Sequence, residues 1–421
     1  MSTMLAKFYY RAKTAAEAVL KHWPRPTIMA VILVVAIAAF CVAFVLYQPP
    51  KSATTPKPPA ATRAATLQPL AAEAANAIAV LPVNPNKFGM SLGDTLPGLS
   101  QTALQAELAD IASFGAGWIR VDLSWSDIQP VDAAHYDWSG FDRVVTAATA
   151  AHLKVLAILL DTPGWAQASG CGDVHACPPA NPAQFAAFAH AAAAHFYPAN
   201  LRDWEIWNEP NLAGVWRPAP NASAYATLLK AAYAGIKSAD PMATVLSGSL
   251  GSLDGDPHSI DQLTFLRQLY AAGARGSFDA VGYHPYSFPV LPSYTQTWNG
   301  WSKMYTLSTS MRSIMNNNGD QAKAIWPTEF GAPTNGPGSL ATTTNYNLNA
   351  SPDHVSEALQ ASMVNDVYQQ VQQAPNLGPL FWYTYKDAGT STATVENFFG
   401  LLRADGSQKP AYQTFKKLVN E

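Results

Sequence analysis

The sequence carries little charge of either sign. Lys, Arg, Asp and Glu make up 13% of its 421 residues, and the net charge is −3. Without a basic excess the chain lacks the field that attracts nucleic acid, so we expect no nucleic-acid partner. It also lacks a Gly-x-Gly-x-x-Gly turn after the first predicted strand and a Walker loop, which argues against a nucleotide-binding doubly wound sheet.

Cysteine is scarce as well. Of the three cysteines, Cys41 lies in an apolar run, where it serves as a small hydrophobic residue. Cys171 and Cys177 enclose a short loop and are expected to form a disulfide in an oxidising environment. His175 between them permits a metal-site alternative, but no further ligand stands nearby at a recognised spacing. We therefore predict a Cys171–Cys177 disulfide, no metal and no cofactor.

Aromatic and other hydrophobic residues are abundant instead. The chain has 12 Trp, 17 Tyr and 17 Phe, and 48% of its residues are hydrophobic. That content is ample for the core of one large domain with accessory segments. A surface with many aromatic rings and few charges suits a neutral ligand better than a polyanion.

The N-terminal region has the pattern of a membrane anchor. Residues 27–47 are uncharged and mostly apolar, and about 20 such residues span a bilayer core of about 30 Å. Five Lys or Arg precede this run against one acidic residue, Glu17, which favours a cytoplasmic N-terminus. A cleaved signal peptide is the alternative, but the leader is long and the apolar run exceeds a usual signal core. We predict a cytoplasmic segment at 1–26 and a single-pass transmembrane helix at 27–47, with the rest of the protein outside the cell membrane.

A linker separates this predicted anchor from the rest of the chain. Residues 48–80 are rich in Pro, Ala and Thr, a composition that cannot bury a core and stays extended. We therefore predict an extracytoplasmic linker at 48–80 and a catalytic domain at 81–421.

Short apolar runs alternate with Ala-rich helical patterns through residues 81–421. The predicted strands cover 87–90, 117–123, 154–160, 203–207, 244–248, 280–283, 324–328 and 379–384. The predicted helices cover 102–114, 141–151, 182–196, 222–238, 260–272, 303–315, 355–372 and 410–419. Eight such alternations predict an α/β fold of the (β/α)8 TIM-barrel type, in which function collects at the C-terminal ends of the strands.

Two glutamates stand at the ends of predicted strands. Glu209 follows Asn208 at the end of the fourth strand, and Glu329 follows the seventh strand before a Gly and a loop. One Glu at a strand exit is ordinarily a solvated residue. An Asn-Glu-Pro motif followed much later by a Thr-Glu-Phe-Gly motif is a far rarer combination. Two carboxyls that face one cleft are what cleavage of a glycosidic bond requires.

Other strand exits carry polar and aromatic residues. Arg120 lies in a hydrophobic strand and needs an anionic partner, which Asp122 or Glu205 could supply in a purely structural role. His284 is a candidate site residue, with a buried core histidine as the alternative. Trp165 could stack on a sugar ring or pack in the core.

These motifs resemble those of clan A glycoside hydrolases, closest to families 39 and 5 and to membrane-tethered hydrolases that trim bacterial exopolysaccharides. The resemblance spans residues 85–421. It implies that Glu209 is the acid/base, that Glu329 is the nucleophile and that Asn208 holds the 2-hydroxyl of the sugar.

The resemblance also implies supporting residues. Arg120 and Tyr286 would steady the carboxylate of the nucleophile, and His284 and Trp382 would line the subsite where cleavage occurs. The aromatic residue of the eighth strand is ambiguous, since Tyr383 and Tyr385 are alternatives to Trp382.

The expected activity is that of a retaining O-glycoside hydrolase acting on an extracellular or cell-envelope polysaccharide, with a monomeric catalytic domain. In the double-displacement mechanism Glu209 starts protonated and Glu329 starts ionised. A wall-remodelling transglycosylase with the same site is one alternative. A non-catalytic carbohydrate-binding barrel is another, although the presence of both carboxyls counts against it.

Overall fold

The computed structural model describes residues 87–173, 175–252 and 256–420. The predicted cytoplasmic segment, the predicted transmembrane helix at 27–47 and the predicted linker at 48–80 lie outside these residues. Within the described ranges, no helix has both the length and the apolar character needed to cross a bilayer.

Eight parallel strands form a nearly closed barrel. They are β1 Phe88–Gly93, β2 Trp118–Ser124, β3 Lys154–Leu160, β4 Asp203–Asn208, β5 Thr244–Gly251, β6 Ala280–His284, β7 Ile325–Pro327 and β8 Leu380–Tyr383. Their order is β8-β1-β2-β3-β4-β5-β6-β7. The eight strands and the TIM-barrel fold predicted from the sequence are thereby confirmed.

The barrel closes at a seam between β7 and β8. The Phe330 N–H donates to the carbonyl of Phe381, and the Tyr383 N–H donates to the carbonyl of Phe330, both at 2.9 Å. Strand β7 is short and includes Pro327, which has no N–H to offer a neighbouring strand.

A helix follows each strand. The helices are α1 Gln101–Ser113, α2 Ser139–Ala150, α3 Pro182–Phe196, α4 Ala222–Ala239, α5 Gln262–Ala271, α6 Met311–Asn317, α7 Glu357–Gln373 and α8 Pro410–Asn420. The single helix predicted at 303–315 is wrong: a π-helical turn, Ser302–Thr306, precedes α6. Extended Ser310 interrupts the helical pattern and caps α6 by accepting a hydrogen bond from the Ser313 N–H at 3.2 Å.

The N-terminal end of the barrel interior is filled with apolar side chains. This inner cluster consists of Trp118, Leu156, Leu246, Ala280, Trp326 and Phe381. The rings of Trp118 and Trp326 meet edge to face, with centroids 5.4 Å apart. Because side chains alternate along a strand, Arg120 follows Trp118 on the inward face of β2. The polar residues of the interior therefore lie above this cluster, toward the C-terminal rim.

Candidate active site

Arg120 is the buried cation of the barrel interior. The residue is 1% exposed, and Glu205 of β4 neutralises it through two hydrogen bonds, from Nε to Oε2 at 2.8 Å and from Nη2 to Oε1 at 3.0 Å. This forked geometry is the strongest that an arginine and a carboxylate can adopt. The structural pairing with Glu205, considered from the sequence, is thus present.

Arg120 also reaches the predicted catalytic residues. Its Nη1 donates to Oε1 of Glu329 at 2.6 Å and to Oγ of Ser91 at 3.1 Å. Its Nη2 donates to Oδ1 of Asn208 at 2.9 Å. One guanidinium therefore holds the ends of β4 and β7 in a common arrangement.

Glu329 is held as a carboxylate from two sides. The hydroxyl of Tyr286 donates to its Oε2 at 2.9 Å, while Arg120 binds Oε1. Burial raises the pKa of Glu329, but the charges of His284 and Arg120 and the Tyr286 hydrogen bond outweigh burial, so its pKa is lowered. Glu329 therefore favours the ionised form that a nucleophile requires.

Glu209 faces Glu329 across His284. Nδ1 of His284 lies 2.9 Å from Oε1 of Glu209 and 3.5 Å from Oε2 of Glu329. His284 is fully buried, yet its ring contacts both carboxylates. It is accordingly part of the site and more than a core histidine.

The backbone aims Glu209 into the cleft. Its φ is 43°, in the left-handed region, and its N–H donates to the carbonyl of Ser249 at 2.9 Å. Gly251 at the end of β5 leaves space for the carboxylate, since a Cβ there would lie 2.7 Å from Oε1 of Glu209. The observed position of the Glu209 side chain therefore requires a residue without a Cβ at the end of β5.

Asn208 lies beside the pair, half-buried at the end of β4. Because its Oδ1 accepts from Arg120, its amide NH₂ is the group left to donate to a ligand. This orientation is compatible with the role in binding a hydroxyl that the sequence implied.

Trp382 does not line the site, which corrects the sequence prediction. It is fully buried on the outer face of β8, where its ring packs edge-on against Phe330 and Phe415. The alternation of β8 instead places Tyr383 on the inward face. Burial raises the pKa of Tyr383, and the charge of Glu329 raises it further.

Trp165 lies on the rim in the loop after β3, half-buried. Its indole N–H donates to the carbonyl of Gln129 at 2.8 Å, and its ring meets that of Trp125 edge to face. Among the contacts of the described residues, none joins Trp165 to Glu209 or Glu329. Its sugar-stacking role stays a prediction.

The loop with the cysteines forms part of the same rim. Cys171 and Cys177 are joined, which confirms the predicted disulfide. Within the loop His175 pairs with Asp161 at 3.0 Å. The described residues contain no cluster of His, Cys, Asp and Glu suited to a metal ion.

Sequence reasoning missed Ser91 as a residue of the interior and considered Asp122 only as a structural partner of Arg120. Ser91 of β1 binds Arg120, and Asp122 lies two positions after Arg120 on the same face of β2. Burial raises the pKa of Asp122 to about 7; Arg120 acts to lower it, whereas Asp161 and Glu329 raise it. The period of two along β2 was the signal that could have identified Asp122.

Two carboxylates that contact one histidine at the C-terminal end of a parallel barrel are the arrangement expected of a clan A glycoside hydrolase. Sequence comparison narrows this class to a family. The profile of cellulase (glycosyl hydrolase family 5) matches residues 82–365, and the chain belongs to this family. A comparison with curated proteins gives no match.

Solved structures show the same fold at low sequence identity. A family 39 glycoside hydrolase from Bacteroides cellulosilyticus WH2 has 22% identity and a TM-score of 0.62, over 80% of this chain and 65% of that chain. A monomeric beta-xylosidase from Caulobacter crescentus CB15 has 18% identity and a TM-score of 0.59, over 80% and 68%. A GH5_18 protein from Streptomyces cattleya in complex with GlcNAc has 15% identity and a TM-score of 0.54, over 80% of both chains.

Proposed function

We propose that this protein is a retaining glycoside hydrolase that cleaves O-glycosidic bonds of an extracellular or cell-envelope polysaccharide by double displacement. The observation that carries the proposal is the position of Glu209 and Glu329 around His284 Nδ1, at 2.9 and 3.5 Å. The two oxygens can be no farther apart than the sum of these distances. This limit allows the separation of about 5 to 5.5 Å between the carboxyl groups of retaining enzymes.

In the first step, Oε of Glu329 forms a bond to the anomeric carbon while the bond from that carbon to the leaving oxygen breaks. Glu209 gives its proton to the leaving oxygen. Burial raises the pKa of Glu329, but His284, Arg120 and Tyr286 together lower it by more. The lowered pKa keeps this nucleophile ionised.

In the second step, water attacks the anomeric carbon and Glu209 takes the proton of the water. The ester bond to Glu329 breaks and the carboxylate returns to Arg120 and Tyr286. The charge of Glu329 is absent while the ester exists, which favours the ionised form of Glu209 that can accept this proton. Throughout both steps the amide of Asn208 is available to the 2-hydroxyl, and Tyr383 offers an aromatic floor for the ring.

We further propose that a transmembrane helix at 27–47 holds the enzyme at the cell membrane with the catalytic domain outside. The apolar run, the basic residues before it and the disulfide-bonded rim support this arrangement. Membrane fractionation with added protease tests it: the catalytic domain should sediment with membranes and be digested in intact spheroplasts. A catalytic domain that remains in the soluble fraction contradicts the anchor.

The catalytic assignment is tested with Glu209→Gln, Glu329→Gln and a surface control, Glu357→Gln, on a panel of polysaccharides and aryl glycosides. Glu329→Gln should abolish turnover, and Glu209→Gln should lose about 10²–10⁴-fold on substrates with poor leaving groups. NMR of the first product should show retained anomeric configuration.

The outcomes also separate the alternatives. If the wild type and both variants behave alike on every glycan, the protein is a carbohydrate-binding barrel. If an added acceptor sugar receives the glycosyl group in preference to water, the protein is a transglycosylase.

A further inference from the structure

The chain leaves the ladder between β4 and β5 directly after Asn208. The last register pair is Asn208 with Ser249, and the Glu209 N–H still donates to the carbonyl of Ser249 at 2.9 Å. Trp207 and Glu209 have φ values of 71° and 43°. Residues other than glycine keep such left-handed conformations only where surrounding contacts hold them. The position of Glu209 therefore needs support from residues beyond the end of β4.

Asn211, two residues after Glu209, supplies this support with its side chain. Its Oδ1 accepts from the Gly251 N–H at 2.8 Å, and its Nδ2 donates to the carbonyl of Gly251 at 3.0 Å. A neighbouring strand would likewise pair with the N–H and the carbonyl of one residue. The buried amide of Asn211 thus continues the ladder where the backbone of β4 has turned away.

Gly251 lies against the proposed acid/base. A Cβ on Gly251 would lie 2.7 Å from Oε1 of Glu209, so the two residues are packed together. On the other edge of β5, the register partner of Gly251 is His284. Nδ1 of His284 contacts the same oxygen of Glu209 at 2.9 Å. Asn211 therefore holds the strand residue against which the carboxyl of Glu209 rests.

This pairing requires the chemistry of an amide. The Nδ2 group of Asn211 also donates to the carbonyl of Ile260 at 3.0 Å, so one side chain serves one N–H and two carbonyls. An asparagine amide has the acceptor oxygen and the two donor hydrogens that these groups need. A leucine has a similar shape but would leave all three backbone groups without this partner.

We propose that Asn211 is a positioning residue that holds Glu209 where it can protonate the leaving oxygen. This inference rests on the proposed glycoside hydrolase function. Proton transfer by a general acid requires hydrogen-bond reach to the oxygen that receives the proton. Loss of the amide should therefore impair cleavage where the leaving group needs a proton, and spare cleavage where the leaving group departs as a stable anion.

The test compares the wild type with Asn211→Leu and Asn211→Ala. The probes are the phenyl and 2,4-dinitrophenyl β-D-glucosides, xylosides and mannosides, because phenol leaves poorly without a proton and dinitrophenol leaves readily. On the sugar that the wild type cleaves fastest, kcat/KM for the phenyl glycoside should fall about 10²-fold in both variants. The value for the dinitrophenyl glycoside should change little.

Asn299 provides the matched control. It is also 0% exposed, and like Asn211 its side chain makes three hydrogen bonds to backbone groups, those of Leu291, Tyr294 and Ser302. Asn299→Leu and Asn299→Ala should lower the thermal unfolding temperature much as the Asn211 variants do. They should keep the wild-type ratio of kcat/KM between the phenyl and dinitrophenyl glycosides.

Hydrogen exchange of the wild type gives a second measurement that needs no variant. If the amide of Asn211 continues the ladder, the Gly251 N–H should exchange as slowly as the amides between β2 and β3. Rapid exchange at Gly251 overturns the role of Asn211, and this measurement decides the matter if neither Asn211 variant folds.

Two kinetic results also overturn the role of Asn211 and leave the proposed function standing. One is a wild-type ratio of the two leaving groups in Asn211→Leu. The other is an equal loss on both leaving groups, since it would reflect general damage to the fold. A wild type inactive on every probe and on the polysaccharide panel contradicts the proposed function, and the role of Asn211 is lost with it.

Discussion

Arg120 and Glu205 are joined by two hydrogen bonds inside the barrel, at 2.8 and 3.0 Å, with 1% and 0% of each residue exposed. The same guanidinium binds Glu329. The pair is thus both a structural element of the core and the support of the predicted nucleophile.

Glu205→Gln should destabilise the protein by about 3 kcal/mol, because removal of one partner leaves a buried charge without full compensation. Urea unfolding measures the change. The control is Glu357→Gln, whose partner Arg403 is 40% exposed, and it should cost at most about 1 kcal/mol. Equal effects of the two substitutions would refute a special role for the buried pair.

Tyr286→Phe removes a hydrogen bond that favours ionised Glu329. The pKa of Glu329 should rise, so the acid limb of the kcat/KM profile should move to higher pH, and kcat/KM at its optimum should fall about 10-fold. The control Tyr305→Phe removes a hydroxyl that bonds the carbonyl of Pro375. An unmoved acid limb in Tyr286→Phe would show that the hydroxyl does not tune the nucleophile.

Gly251→Ala should displace Glu209, because the added methyl would lie 2.7 Å from Oε1 of that residue. A displacement of about 1 Å can cost about 10²-fold in kcat. Gly276→Ala is the matched control, since a Cβ at Gly276 meets no atom within 4 Å. Wild-type kcat in Gly251→Ala, measured on an aryl glycoside, would contradict the placement of Glu209.

Asp122→Asn should change the pH dependence of stability. Burial raises the pKa of Asp122 to about 7 in the folded protein, so the contribution of its protonated form is complete below the unfolded pKa of about 4 and is lost as the pH rises to about 7. The variant should gain stability relative to the wild type between pH 5 and pH 8, on the order of 2 kcal/mol. Urea unfolding at the two pH values measures this, with Asp405→Asn as the exposed control. The same difference at both pH values would contradict a raised pKa.

The strands and the proposed catalytic pair could be located from the sequence because their signals are local. Apolar runs bounded by Gly and Pro marked the eight strands, and Glu209 and Glu329 stood directly after two of them. In a parallel barrel, strand exits converge on one rim. The positions of the two glutamates in the chain were therefore enough to predict that they lie on the same rim.

The choice between Trp382 and Tyr383 could not be made in the same way. Strands of a parallel barrel are buried on both faces, so an apolar run does not reveal which side chains point inward. The helical spacing over 303–315 likewise did not indicate that Ser310 would cap a separate helix.

The proposed nucleophile Glu329 lies at the seam of the barrel. Backbone hydrogen bonds join the two sides of the seam at Ile325 and at Phe330, with Pro327 between them. Amide protons along this junction should therefore exchange with solvent sooner than those of the continuous ladder between β2 and β3.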